Sequence, residues 1–142
     1  MTGDVVYLDT SGMLAMLDAD DEFHEIAAGA WQKMLAAKLL FTLTDYVRLE
    51  CWSLIQRRLG MEALRDYHRR VLPMVVVDSV GEGGFVLLAQ QVTLANRRDL
   101  SLVDLSSFAC MQRRDLRYAF AFDKHFGEQG FVTPEEQAWP FG

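Results

Sequence analysis

Cysteine is scarce in this 142-residue chain, positive charge is in deficit, and long apolar runs are missing. The two cysteines, Cys51 and Cys110, lie far apart inside helical patterns, form no CxxC pair and have no histidine at ligand spacing. A disulfide scaffold and a thiolate zinc site are thereby excluded, and two buried thiols in a reducing cytosol are expected. The apolar runs fall far short of the roughly 18 residues needed to span a bilayer. No basic segment leads into an apolar stretch near Asp4, so no signal peptide is expected and the location is read as cytoplasmic, with no membrane partner. A net charge of −6 argues against gripping nucleic acid by bulk electrostatics. Repeats, low-complexity tracts and linkers are also lacking. With 51% of residues hydrophobic, the chain can build a real core as one domain over residues 1–142.

What is present is an alternation of short apolar runs with helical periodicity, the pattern of βαβ units and a mainly parallel sheet in an α/β fold. Residues 4–9 read as a first strand, followed by a short helix from Ser11 to Asp18. Asp20 and Asp21 are candidate caps for a helix carrying Phe23, Ile26, Ala27, Ala30, Trp31 and Met34. Residues 39–43 read as a second strand, and Thr44 or Asp45 caps a helix over 45–58. A further helix over 61–71 ends before Pro73, and Met74 to Val77 form a third strand. Gly81-Glu82-Gly83-Gly84 lacks the Lys-Ser/Thr of a phosphate loop and reads as a turn or frayed helix start, with a helix running on to about Arg98. Ser101 caps a helix to about Arg114, residues 117–122 make a fourth strand, and Phe131-Val132 a short fifth.

Four carboxylates stand out against this pattern. Asp9 closes the run Val5-Val6-Tyr7-Leu8, and Asp123 closes Tyr118-Ala119-Phe120-Ala121-Phe122. Function in open parallel sheets gathers beyond the carboxyl ends of strands. Glu50 lies on the apolar stripe of Val47, Cys51, Leu54 and Ile55, and Asp104 shares a stripe with Phe108 and Met111. Each has a structural alternative: a turn-forming Asp at 9 or 123, a salt-bridged helix edge at 50, a capping box with Ser101 at 104. Together they are costly to desolvate unless a cation partners them. A hard divalent ion such as Mg²⁺ takes such oxygen ligands and keeps waters for chemistry on a phosphodiester. The arginine pairs 57–58, 69–70, 97–98 and 113–114, with Arg117, fit solvated last turns of helices or a basic rim around an acidic centre. His24 and His68 read as helix-surface residues and His125 as a surface-loop histidine near Asp123.

Tyr7-Leu8-Asp9-Thr10-Ser11-Gly12 resembles the opening strand and turn of PIN domains. Thr44-Asp45-Tyr46-Val47-Arg48-Leu49-Glu50 resembles their helix with the second acid, and Leu100 to Ala109, around Asp104, their third acidic motif. Ala121-Phe122-Asp123-Lys124-His125-Phe126 with Gly130-Phe131 resembles the fourth. Order and spacing agree over essentially the whole chain, and its length is similar to that of VapC-type toxins. The resemblance implies a three-layer α/β/α sandwich around a parallel sheet, and Mg²⁺- or Mn²⁺-dependent endoribonuclease activity on structured RNA such as transfer RNA. It also implies a cognate antitoxin and a homodimer. It carries metal-site and catalytic roles to Asp9, Glu50, Asp104 and Asp123, with Ser11 supporting the first acid. One departure is Ala121, where family members often have Thr or Ser, which removes a supporting hydroxyl.

The expected chemistry is hydrolysis with Asp9, Asp104 and Asp123 holding one or two ions and Glu50 ligating or orienting the water. Two rivals remain. A phosphoaspartyl protein would use Asp9 as nucleophile, but Asp9-Thr10-Ser11 lacks the second Asp usual in aspartate-nucleophile phosphatases. A non-catalytic module would keep the fold and bind RNA or protein. Phe23, Trp31, Tyr46 and Trp52 are expected to divide between core and a groove for a partner helix.

Overall fold

The computed structural model describes residues 4–142. Its centre is a parallel four-stranded sheet of β1 (Val5–Leu8), β2 (Leu40–Thr44), β3 (Val75–Asp78) and β4 (Tyr118–Phe120), in the order β3-β2-β1-β4. The helices are α1 (Thr10–Leu17), α2 (His24–Ala36), α3 (Asp45–Arg58), α4 (Met61–Asp66), α5 (Gly81–Ala95), α6 (Leu102–Arg113) and α7 (Lys124–Glu128).

Strand alternation explains the layers. Val6, Tyr7 and Leu8 of β1 are all fully buried, so both faces of the central strand are covered. Val6 pairs with Phe41 and Leu8 with Phe120, which places these four on one face. Trp31 of α2 packs there, stacked on Phe41 at 5.2 Å between ring centroids and tilted against Phe120 at 5.8 Å. Tyr7 points to the other face, where its hydroxyl donates to Ser107 Oγ of α6 at 2.6 Å. Thr44 at the end of β2 meets Ser106 of α6 at 3.0 Å. These buried hydroxyl contacts fix α6 across β1 and β2. The result is the α/β/α sandwich.

Several elements differ from the pattern-based expectations. Asp20 and Asp21 do not cap α2. Asp21 Oδ1 accepts from the Phe23 N–H at 2.8 Å and Asp18 Oδ1 from the Asp20 N–H at 3.0 Å, so these acids make local turns, and α2 begins at His24 without a side-chain cap. The helix after Gly60 is not uniform: α4 passes into a π-helical turn, Tyr67–Val71, and a 3-10 turn, Leu72–Met74, that carries Pro73. The glycine run lies in the first turn of α5, which ends at left-handed Asn96. Val132 makes a single parallel bridge to Tyr118 rather than a strand.

One glycine has a packing reason. A Cβ on Gly12 would sit 2.1 Å from the Phe120 carbonyl oxygen, so α1 crosses the end of β4 at a distance that only glycine allows.

Candidate active site

β1 and β4 are neighbours, and their carboxyl ends are tied together. The Asp9 N–H donates to Phe120 O at 3.2 Å, and the Phe122 N–H donates to Ser11 Oγ at 2.9 Å. Ser11 Oγ in turn donates to Asp9 Oδ2 at 2.6 Å, and the Ser11 N–H to the same oxygen at 3.1 Å. Ser11 thus anchors the Asp9 carboxylate to β4. It serves the backbone amide of Phe122 directly, beside fully buried Ala121.

Three of the four acids sit at helix N-termini, where unpaired amides and the helix dipole favour a carboxylate. Asp9 caps α1, and Asp123 caps α7 by accepting from the His125 N–H at 2.9 Å. Asp104 is the third helical residue of α6. Ser101 Oγ accepts from the Asp104 N–H at 3.0 Å, and Asp104 Oδ2 accepts from the Ser101 N–H at 3.1 Å. The capping box is therefore present at Asp104. It occupies one oxygen of the carboxylate. Asp9 Oδ1, Asp104 Oδ1 and Asp123 Oδ2 accept no hydrogen bond among the described residues.

The electrostatics register this crowding. Burial pushes Asp9 up to about 7; the Ser11 hydrogen bonds oppose the shift, and the charges of Asp104 and Asp123 add to it. Asp104 is also raised, first by burial and then by Asp123, against its hydrogen bonds with Ser101. No Lys or Arg makes an ion pair with Asp9, Asp104 or Asp123 among the described residues. A donor set of free carboxylate oxygens with no Lys or Arg paired to it fits a hard divalent ion.

Glu50 comes from a different element. It is half-buried on α3, beside the core positions Val47 and Cys51, and its Oε1 accepts from Thr10 Oγ1 at 2.8 Å. Thr10 follows Asp9, so one turn of chain holds two acids: Ser11 fixes Asp9 and Thr10 fixes Glu50. Tyr46, Leu49 and Glu50 of α3, Phe85 of α5, and Leu102 and Val103 of α6 line a mostly apolar cleft of about 390 Å³.

Sequence reasoning passed over Thr10 and Asp99 here and misplaced His125. Thr10 was overshadowed by the acid beside it. His125 is not a surface-loop residue: it is buried, within α7, and the helix is too short to show periodicity. Nor does His24 sit free on its helix, since its Nδ1 meets Ala15 O at 2.8 Å, whereas His68 is exposed. Asp99 lies in the loop before α6; its Oδ2 is 3.1 Å from His125 Nε2, and Arg97 grips both its oxygens at 3.1 and 2.7 Å. Burial alone would lower His125, but Asp99, Asp123, Asp104 and Glu128 outweigh it and the net shift is upward. Ligand atoms of Asp104, Asp123 and His125 lie within 4.8 Å of one another.

The PIN domain family model matches residues 6–132. The chain is 31% identical over 130 residues to the 23S rRNA-specific endonuclease VapC20 of Mycobacterium tuberculosis, in strains H37Rv and CDC 1551, covering 90% of this chain and 96% of the relative. The crystal structure of M. tuberculosis VapC20, described as a sarcin-ricin loop cleaving toxin, superposes with a TM-score of 0.75 at 29% identity, over 89% of this chain and 96% of that one.

Proposed function

The chain belongs to the PIN-domain family, and from that premise we propose that it is a single-domain, metal-dependent endoribonuclease, the toxin of a type II toxin–antitoxin pair. The observation that carries this reading is that the charges of Asp104 and Asp123 bear on buried Asp9, raised to about 7, with no Lys or Arg paired to any of the three among the described residues.

In this reading Asp9, Asp104 and Asp123 hold Mg²⁺ or Mn²⁺ through their free oxygens. When bound, the ion lowers the pKa of a water and offsets charge building on the phosphodiester. Ser11 keeps the Asp9 carboxylate aimed outward by taking its other oxygen. Glu50, with Oε1 engaged by Thr10, presents Oε2 to accept a hydrogen bond from the attacking water. Water oxygen attacks phosphorus in line and gives up a proton to solvent, while the bond from phosphorus to the opposite ribose oxygen breaks and that oxygen takes up a proton from solvent.

Structured RNA is the proposed substrate class. The specificity of VapC20 makes the sarcin-ricin loop of 23S rRNA the first RNA to try on this chain, with transfer RNA second. The cognate antitoxin is proposed to lay a helix in the groove between Tyr46, Arg48, Leu49 and Trp52 of α3 and His68 and Leu72. Trp31, by contrast, is core. A homodimer would cover α5, which exposes Phe85, Val86, Leu87 and Leu94 while burying Leu88 alone. No helix among the described residues is long and apolar enough to cross a membrane, and a cytoplasmic site of action is proposed.

The test is cleavage of end-labelled ribosomal and transfer RNA with Mg²⁺ or Mn²⁺ against EDTA, by wild type and Asp9→Asn. Discrete products that require metal and disappear in the variant are expected. Full activity in folded Asp9→Asn, or in EDTA, defeats the assignment.

A further inference from the structure

We propose that the metal centre includes a nitrogen ligand, Nδ1 of His125, alongside Asp104 and Asp123, and that it therefore favours Mn²⁺ over Mg²⁺; this rests on the metal-dependent reading above.

Geometry and an orphaned atom support the assignment independently. Two atoms bound to one ion at about 2.1 Å lie at most about 4.2 Å apart; each of the three side chains offers a ligand atom within 4.8 Å of the others', and Nδ1 is 2.8 Å from Asp123 Oδ1, so only a small closure is needed. His125 is 7% exposed, and its Nδ1 has no hydrogen-bond partner among the described residues. It lies 2.8 Å from Asp123 Oδ1 but without the alignment of a hydrogen bond. A buried polar atom left unpaired beside two carboxylates is costly unless something else takes it up.

The far side of the ring completes the argument. Nε2 faces Asp99 Oδ2 at 3.1 Å, and Arg97 holds that carboxylate with two hydrogen bonds. Donation from Nε2–H to a carboxylate selects the tautomer whose Nδ1 lone pair is available, the arrangement that orients metal-bound imidazoles. Phe126, fully buried next in sequence, fixes the backbone that carries the ring. Imidazole is a better ligand for transition ions than for Mg²⁺, which keeps to oxygen.

The experiment is pulsed EPR on the full-length protein, stripped of metal and reloaded with Mn²⁺. Wild type should show coupling to a directly bound nitrogen. The coupling should change isotope pattern when histidine alone is ¹⁵N-labelled, and vanish in His125→Gln. Calorimetry should show Mn²⁺ binding about tenfold weaker or more in His125→Gln, a loss also expected on removing the orienting acceptor with Asp99→Ala. Mg²⁺ binding should change less. If His125→Gln misfolds, the label experiment on wild type decides alone, because His24 is bonded to Ala15 O and His68 is exposed against Trp52. Mn²⁺ bound through oxygen only overturns the inference and leaves the metal-dependent nuclease standing. No Mn²⁺ binding by folded wild type overturns both.

Discussion

Asp9 and Asp78 occupy equivalent places, each at the carboxyl end of a run of apolar residues in one parallel sheet, yet their surroundings are opposite. Asp78 ends β3 and is met by Arg113 and Arg114 from the end of α6, the latter at 3.4 Å. Burial works to raise it, but hydrogen bonds from Cys110 and Arg114 and the charge of Arg113 prevail, and its pKa is lowered. Asp9 follows β1; Ser11 bonds it, the charges of Asp104 and Asp123 oppose its ionisation, and with burial it is raised to about 7. A carboxylate with its own arginines is a finished structural element. One held among other carboxylates has no such partner of its own, and the proposed function supplies it with a cation from outside.

The comparison breaks most sharply at Asp9. Asp9→Asn should lower cleavage at least about 100-fold, since a direct ligand should matter no less than the groups that orient ligands. The same change should stabilise the metal-free fold at neutral pH. Asp9 titrates near 3.8 unfolded and about 7 folded, so the fold binds more protons between those values and stability falls as pH rises through them. The full difference corresponds to about 4 kcal/mol. Urea unfolding in EDTA at pH 5 and pH 8 should show this decline in wild type and a flatter response in the variant; parallel profiles would mean that Asp9 is not strained.

Ser11→Ala removes the bond that ties Asp9 to β4 and leaves the Phe122 amide without its acceptor. A loss of about 10- to 100-fold in metal affinity is expected by calorimetry. Thr10→Val frees Glu50, and about tenfold slower cleavage at saturating metal is expected, with metal affinity nearly kept. Equal losses in both would place Glu50 among the ligands instead.

The smallest effect belongs to Asp78→Asn. Because its folded-state pKa is depressed, its contribution is present above 3.8 and is lost as pH falls through the lowered value. Its arginines are largely exposed, so about 1 kcal/mol of stability at neutral pH is expected, with cleavage unchanged. A large loss of cleavage would make the arginine pair part of RNA binding.

Much of this was legible in the residues. Asp9 and Asp123 stand out by closing apolar runs, Glu50 by interrupting a stripe, and Asp104 by sharing one with Phe108 and Met111, while its structural alternative, the box with Ser101, is also present. The bounds of α3 follow from its periodicity and the Thr44 cap, which accepts from the Val47 N–H at 3.2 Å. The aspartates before α2 illustrate the limit: an Asp can serve a turn or a cap equally well, and local bonds decided for the turn. His125 was misread because five helical residues carry no usable period.

Asp78 marks where the chain alone stops being informative. Val75-Val76-Val77-Asp78 carries the same signal as Val5-Val6-Tyr7-Leu8-Asp9. Composition and pattern determined that strands would end in carboxylates and that their helices would be covered on one side by core. Which carboxylate acquires an arginine depends on residues 35 and 36 positions away, brought close by the packing of α6. Charge pairing acts through space, over a few ångströms, and only the folded chain sets those distances. The tertiary structure therefore decided that Asp78 is neutralised from within, while Asp9, Asp104 and Asp123 are given no Lys or Arg partner among the described residues.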